Sequence, residues 1–261
     1  MLSKTIKPVF IPKKNLMRLG PKRDGGYIID KRIIGKIEYI ITCGLSDDWN
    51  FEKDFLNKNS KTIVLAYDHT VNLAFWVKRL LKDILHFFLL KKISFWKLKN
   101  IFRYFDYVLF FKKENKHFKI KIGKKNLHNK EITIDKILNK KKNVLLKVDI
   151  EGGEYDVLKN IKKNQKKINC LIIEFHSVKK NLQKIYNFVS QNKDLKIIHI
   201  HGNNINKLDE YGLPYAIEIT FINSKFYKFY KFQKKNNYNY PIKNLDYPSV
   251  KRNKDIILKF R

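Results

Sequence analysis

The sequence predicts a doubly wound α/β fold on a mostly parallel sheet. Strand-like and helix-like segments alternate after residue 37, the strands are nearly continuous apolar runs, and polar residues collect at their carboxyl ends. Continuous apolar strands belong to sheets covered on both faces, and in such sheets ligands bind beyond the strand ends. Residues 37–43 (IEYIITC) read as a buried strand meeting a turn at Gly44. Residues 49–56 look helical, with Asp47 or Asp48 as N-cap, and residues 62–67 (TIVLAY) form a second strand ending at Asp68. A helix follows, with Leu73, Val77, Leu80, Ile84 and Phe87 at helical spacing. Residues 144–148 (VLLKV) and 170–173 (CLII) are further strands. Their helices carry Val157, Leu158 and Ile161, then Val178, Leu182, Ile185 and Val189. Residues 195–200 and 216–222 complete the sheet, the last with the alternation of an antiparallel partner. Residues 1–36 read as an N-terminal cap segment and residues 37–261 as a single domain, with a basic, aromatic helical insertion around 73–105.

Composition bounds the function. Hydrophobic residues make up 44% of the chain, enough for a sizeable core. The net charge of +32 raises the prospect of a polyanionic partner. The excess is nearly all Lys, however, scattered through every segment beside abundant Ile and Asn, as coding bias toward A and T would also give. The two cysteines, Cys43 and Cys170, make no disulfide framework, and a reducing cytoplasm fits. The first residues lack the apolar core of a signal peptide, and no stretch approaches the roughly 18 apolar residues of a membrane span. The expectation is a cytoplasmic protein, soluble or peripheral at the inner membrane face.

The sharpest motif is DIEGGEYDVL, residues 149–158. With it come RDGGY at 23–27, CGLSDDWNFE at 43–52, AYDHT at 66–70, HGNN at 201–204, EITF at 218–221 and LDYP at 245–248. This ordered set resembles the FkbM-like branch of class I S-adenosylmethionine-dependent methyltransferases over roughly residues 18–260. The resemblance implies a class I methyltransferase-like sheet of seven strands with helices on both faces and one antiparallel C-terminal strand. It implies S-adenosylmethionine as cofactor and a hydroxyl acceptor on a small molecule, sugar or glycan. The chain departs from the glycine-rich G-x-G-x-G of many methyltransferases, since Gly44-Leu45-Ser46 has one glycine.

Each motif has a physical reading. A cofactor with an adenosine and a charged amino-acid part needs a bare turn after the first strand, which Gly44 and Ser46 offer. It also needs an acidic side chain after the second strand to accept from ribose hydroxyls, and Asp68, next to His69, stands at that reach. Asp68 serves equally well as a helix N-cap. Gly25 and Gly26 allow either a bare turn or backbone packed on the cofactor. Asp149, Glu151 and Glu154 form an acidic cluster in a basic protein, and Asp149 and Glu151 share one side of an extended strand end. N-capping of the helix near Glu154 accounts for them as well. Glu174 and His176 repeat that spacing on the next strand, and His199 and His201 on the one after. Asp149, Glu151, Glu174, His176 and His201 are therefore the candidate catalytic residues. They act as general bases, or Asp149, Glu174 and His176 hold a divalent metal that acidifies the acceptor hydroxyl.

Residues 73–103 mix Phe75, Trp76, Phe87, Phe88, Phe95 and Trp96 with Lys78, Arg79, Lys82, Lys91 and Lys92, and only Asp83 is acidic. Such a segment suits peripheral membrane contact, or ordinary helices whose Lys stems cover apolar surface. The leading reading is O-methylation of a sugar, glycan or glycolipid. The alternatives are a nucleic-acid-binding protein or RNA methyltransferase, and a non-catalytic membrane-surface adaptor. No N-P-P-[YF] tetrapeptide, RNP motif or zinc-finger spacing supports a nucleic-acid partner.

Overall fold

The computed structural model describes residues 1–89, 102–226 and 236–261. Its centre is a seven-stranded sheet. The strands are β3 (Tyr39–Cys43), β4 (Ile63–Tyr67), β5 (Lys116–Phe118), β8 (Val144–Val148), β9 (Ile168–Phe175), β10 (Leu195–Asn203) and β11 (Ala216–Asn223). Across the sheet the order is β10-β11-β9-β8-β3-β4-β5. All neighbours are parallel except β11, which runs antiparallel to both β9 and β10. The expected fold class, with its single reversed C-terminal strand, is the one observed. Strand order runs outward in both directions from the β3–β8 pair, so right-handed crossovers put their helices on opposite faces. That pair is the topological switch point, where open α/β sheets hold ligands.

Two small sheets accompany it: the antiparallel hairpin of β1 (Leu16–Leu19) and β2 (Tyr27–Asp30), and the short pair β6 (Lys121–Ile122) and β7 (Glu131–Ile132). The helices are α1 (Asn50–Leu56), α2 (Leu73–Leu89), α3 (Arg103–Phe110), α4 (Ile134–Ile137), α5 (Glu154–Asn164) and α6 (Val178–Gln191). Strands β8, β9 and β11 are buried along their whole length, as their apolar runs require. Helix α5 buries Val157, Leu158 and Ile161, and α6 buries Val178, Ile185 and Phe188. Helix α1 begins after Trp49 without a side-chain cap of its own, yet Asp48 Oδ1 accepts from the Asn50 amide at 2.9 Å. Both cysteines are free and buried, and burial pushes their thiols up.

Residues 1–36 share the main core through Leu2, Ile6, Ile11, Leu16, Leu19 and Ile29. Helix α2 departs from a core-packing reading. Leu73, Val77, Leu80 and Ile84 point outward, while Trp76 is buried. Lys91, Lys92, Phe95 and Trp96 of the basic aromatic segment lie outside the described residues.

One polar group is built into the core beside the switch point. Lys147 on β8 pairs with Glu52 of α1 at 3.1 Å, with side-chain exposures of 5% and 0%. The Thr42 hydroxyl, at the register position opposite Lys147, donates to the same Glu52 oxygen at 2.6 Å. The Lys147 ammonium also lies over the rings of Tyr27 and Phe51. Burial would lower its affinity for a proton, but Glu52 and Asp149 outweigh that, so the charge is retained.

Candidate active site

The loops leaving β3 and β8 cross at the switch point. The Gly44 amide donates to the Tyr67 carbonyl, and the Asp149 amide to the Cys43 carbonyl. Gly44 has φ +84°, and a Cβ there would lie 1.6 Å from the Asp149 carbonyl oxygen. The single glycine of this loop therefore serves the crossing of two backbones.

Asp68, at the end of β4, organises the same loop. Its Oδ2 accepts from the Leu45 and Ser46 amides at 2.9 Å each. Its Oδ1 accepts from the Thr70 amide and hydroxyl at 2.7 and 2.6 Å. A carboxylate offers about four lone-pair sites, and all are used. Burial pushes the Asp68 carboxyl up, but these hydrogen bonds more than offset it and hold it below the usual range. Asp68 thus caps the turn and shapes the cofactor loop together. Ribose hydroxyls would have to share those oxygens or displace Thr70.

A cleft of about 760 Å³ opens over this loop, lined among others by Gly44, Ser46, Asp68, His69, Asp149 and Glu151. Lys121, Lys124, Lys125, Glu131 and Asp156 line it as well. Such a cleft is of cofactor size. Its lining mixes carboxylates, Asp156 paired with Lys124 among them, with the lysines Lys121 and Lys125, groups of both signs that suit a ligand with a sulfonium, an ammonium and a carboxylate. Gly25 and Gly26 do not line it. Gly26 is packed against the Pro21 carbonyl and the Arg18 guanidinium, and Gly25 faces Asp48. Their turn instead sets Asp24 and Tyr27 beside the acidic cluster.

That cluster stands at the ends of β8 and β9. The strand stops at Val148, and Glu151 turns into left-handed backbone at φ +52°, so the expected extended end is replaced by a turn. The turn still brings Asp149, Glu151 and His176 together. His176 Nε2 lies 3.9 Å from Asp149, 3.5 Å from Glu151 and 3.8 Å from Glu174. Its Nδ1 meets Glu154 Oε1 at 3.1 Å. That same oxygen accepts from the Ile150 and Gly152 amides, so Glu154 fastens the loop to the imidazole. Burial works against a charged His176, but Glu154 and Asp149 prevail and raise its proton affinity. Burial, opposed by His176 and Lys147, raises the Asp149 carboxyl to about 7. The Tyr27 hydroxyl reaches Asp149 Oδ2 at 3.4 Å.

Next to it lies a second carboxylate group, Asp24, Glu174 and Glu218. Glu174 and Glu218 are register partners across β9 and β11, and Glu218 is opposite His201 on β10. Burial, then the charges of Asp149 and Glu218, raise the Glu174 carboxyl well above its usual range. Asn203 Nδ2 donates to Glu174 at 2.9 Å. His201 is 1% exposed and sits behind Glu218, with Nε2 on Asp255 at 3.0 Å and Nδ1 3.5 Å from Glu218. It reaches the cluster only through that carboxylate. His199 is separate, paired with Asp246 at 3.1 Å, and the strand is irregular between Ile197 and His199.

The structure therefore joins Asp149, Glu151, Glu174 and His176, places Ser46, Asp68 and His69 in the adjoining cleft, and sets His201 behind. Sequence reasoning missed Asp24, Tyr27, Asn203 and Glu218 as neighbours of the site. Each lay in a quoted motif, but nothing local shows that strand pairing gathers them.

The strand order, the one reversed strand and a cleft at the switch point define a class I methyltransferase fold. Residues 87–212 match the family described as the methyltransferase FkbM domain. That segment is just under half of the chain, and over it the chain is similar to the FkbM methyltransferase domain, consistent with an S-adenosylmethionine-dependent methyltransferase. The match contains Asp149, Glu151, Glu174, His176 and His201; Gly44 and Asp68 precede it. No curated protein matches the chain. Among solved structures, it is similar to the Methanococcus jannaschii fibrillarin pre-rRNA processing protein, with 12% identity, TM-score 0.34, and coverage of 73% of this chain and 68% of that one. It is similar to precorrin-6y C5,15-methyltransferase from Geobacter metallireducens GS-15, with 9% identity, TM-score 0.34, and coverage of 74% and 87%. M. jannaschii TYW2 in complex with AdoMet is similar at 11% identity and TM-score 0.32, with coverage of 82% and 89%.

Proposed function

We propose that this methyltransferase O-methylates a hydroxyl of a sugar, glycan or glycolipid, with Asp149 as the base. The observation that carries this reading is the position of Asp149. It lines the cofactor cleft and also touches the acidic and histidine cluster, and its carboxyl titrates near neutrality. When bound, S-adenosylmethionine supplies an electrophilic methyl group. Ser46, Asp68 and His69 would hold it, and Lys121 or Lys125 would meet its carboxylate. The acceptor oxygen has to be aligned with the methyl group, so positioning does most of the work. The acceptor proton passes to the Asp149 carboxylate, and His176 steadies the neighbouring negative charge. Glu151, Glu174, Glu218 and Asp24 offer acceptor atoms to a ligand that presents many hydroxyl donors. The same carboxylates repel phosphates, which weighs against a nucleic-acid acceptor despite the basic surface.

A second reading rests on one observation. Ligand atoms of Asp149, Glu151 and His176 lie within 4.8 Å of one another. A divalent cation held by these residues would acidify the acceptor hydroxyl in place of the base.

The test is transfer of labelled methyl from S-adenosylmethionine to glycosides and oligosaccharides, with transfer RNA alongside, in EDTA and with magnesium or manganese. The expected product is a sugar methyl ether formed in EDTA. Label in RNA alone would overturn the acceptor class. Formation abolished by EDTA and restored by the ions would replace the base with the cation.

A further inference from the structure

Helices α2 and α3 are packed inside out. On α2 the side chains turned inward are Trp76, Arg79 and Asp83, while Leu73, Val77, Leu80, Leu81, Ile84 and Leu85 form a stripe facing away from the protein. On α3 the inward side chains are Arg103, Asp106, Tyr107 and Phe110, while Phe105, Val108 and Leu109 face out beside Phe102. These outward residues are 37–69% exposed. A surface helix of a soluble protein shows the opposite arrangement, with its apolar stripe on the core.

The inversion is held by charges. Arg79 pairs with Asp47, Arg103 with Asp48 at 3.6 Å, and Asp106 with Lys53 at 2.5 Å, so both helices are pinned to the start of α1 by their polar faces. Trp76 contacts Tyr104 and Tyr107, which sets the two helices side by side. Their exposed apolar faces thus lie on neighbouring helices, and exposed apolar patches mark interaction sites. The border of these faces is cationic: Lys78 and Lys82 on α2 and Lys112 and Lys113 after α3 are exposed. The whole chain carries +32.

We propose that this surface docks on an anionic lipid bilayer, the apolar stripe entering the headgroup boundary and the lysines meeting lipid phosphates. Interfacial helices have this combination of an outward apolar face and a Lys border, and acidic lipids add attraction for each nearby cation. No described helix is long and apolar enough to cross a membrane, so the contact is peripheral. The surface is coupled through the core to the loop under the candidate cleft. Leu45 and Trp49 of the loop under the cleft pack with Trp76 and Tyr107, and α2 starts just past Asp68. Docking brings the cleft to the bilayer, where an acceptor carried on a lipid would be found. The binding itself is independent of the reaction assigned above.

Cosedimentation with vesicles tests the proposal, using phosphatidylcholine alone and with about one-third phosphatidylglycerol. The native chain and two variants, Leu81→Asp/Leu85→Asp and Phe105→Asp/Leu109→Asp, are compared. All four positions are exposed, and unchanged thermal melting of the variants confirms that they fold. The native chain is expected to bind the phosphatidylglycerol vesicles, to be released as salt is raised, and to lose about tenfold or more in affinity in either variant. Native chain left in the supernatant would overturn the proposal, as would variants that bind as well as it does. A lipid-free dimer that either variant converts to monomer would assign the surface to a second copy instead.

Discussion

Asp149→Asn is expected to slow methyl transfer by about 10²–10⁴-fold, the range for loss of a general base. S-adenosylmethionine affinity should stay within a few-fold, because the carboxamide keeps the shape of the cleft. The pH dependence carries the distinguishing sign. The Asp149 carboxyl is raised in the folded chain from 3.8 to about 7. The native rate should therefore climb as pH passes about 7 and the carboxylate forms, and the variant should lose that limb. Stability moves the other way. A carboxyl raised on folding stabilises fully below its unfolded value, and that contribution is lost as pH rises through about 7. At pH 8 the native chain holds an ionised Asp149 beside Glu151 and Asp24. The variant should consequently melt roughly 2–4 °C higher for each kcal/mol relieved, with the gain fading by pH 5. Single-turnover kinetics and thermal melts across pH check both halves. A slower variant that melts lower would mean that the substitution damages the fold.

Lys147→Met is expected to destabilise the chain by about 3–5 kcal/mol, because it leaves Glu52 as a buried, unpaired charge. Among the described residues Glu52 Oε2 has no hydrogen-bond partner even in the native structure, and Thr42 alone would remain on Oε1. Denaturant titration should show a lower midpoint with an unchanged slope. The double variant Lys147→Met/Glu52→Gln should recover most of the loss, since it removes both charges together. A single variant as stable as the native chain would show that the pair contributes little.

The parts of the fold legible in the sequence were those with one local cause. Strands β3, β4, β8 and β9 are apolar runs, and Gly44, Asp68, Asp149 and His176 follow them directly at the sheet edge. Strand β5 was invisible, because Lys116, His117 and Phe118 form a short, half-exposed edge with no apolar run. The hairpin of β1 and β2 is four residues a side and has no helix to alternate with. In the site, Asp149, Glu174 and His176 were readable from strand ends. Glu218 was not, since alternation on an antiparallel strand sends every second residue to a polar face. Here that face is the acidic cluster, and β11 is buried throughout. Asp24 joins Glu174 and Glu218 across most of the chain's length, a contact that only the β1–β2 hairpin and the reversed strand create. Asp68 is legible as the residue that follows an apolar run, but its four accepted hydrogen bonds, and hence its structural duty, needed coordinates.

The central claim is that the cleft over Gly44, Ser46 and Asp68 holds S-adenosylmethionine. Calorimetric titration of the native chain and of Asp68→Ala tests it most directly. The expected result is micromolar binding by the native chain and none by the variant, whose Leu45 and Ser46 amides have lost their acceptor. A well-folded native chain that takes up no heat from S-adenosylmethionine, with or without magnesium, would contradict the account.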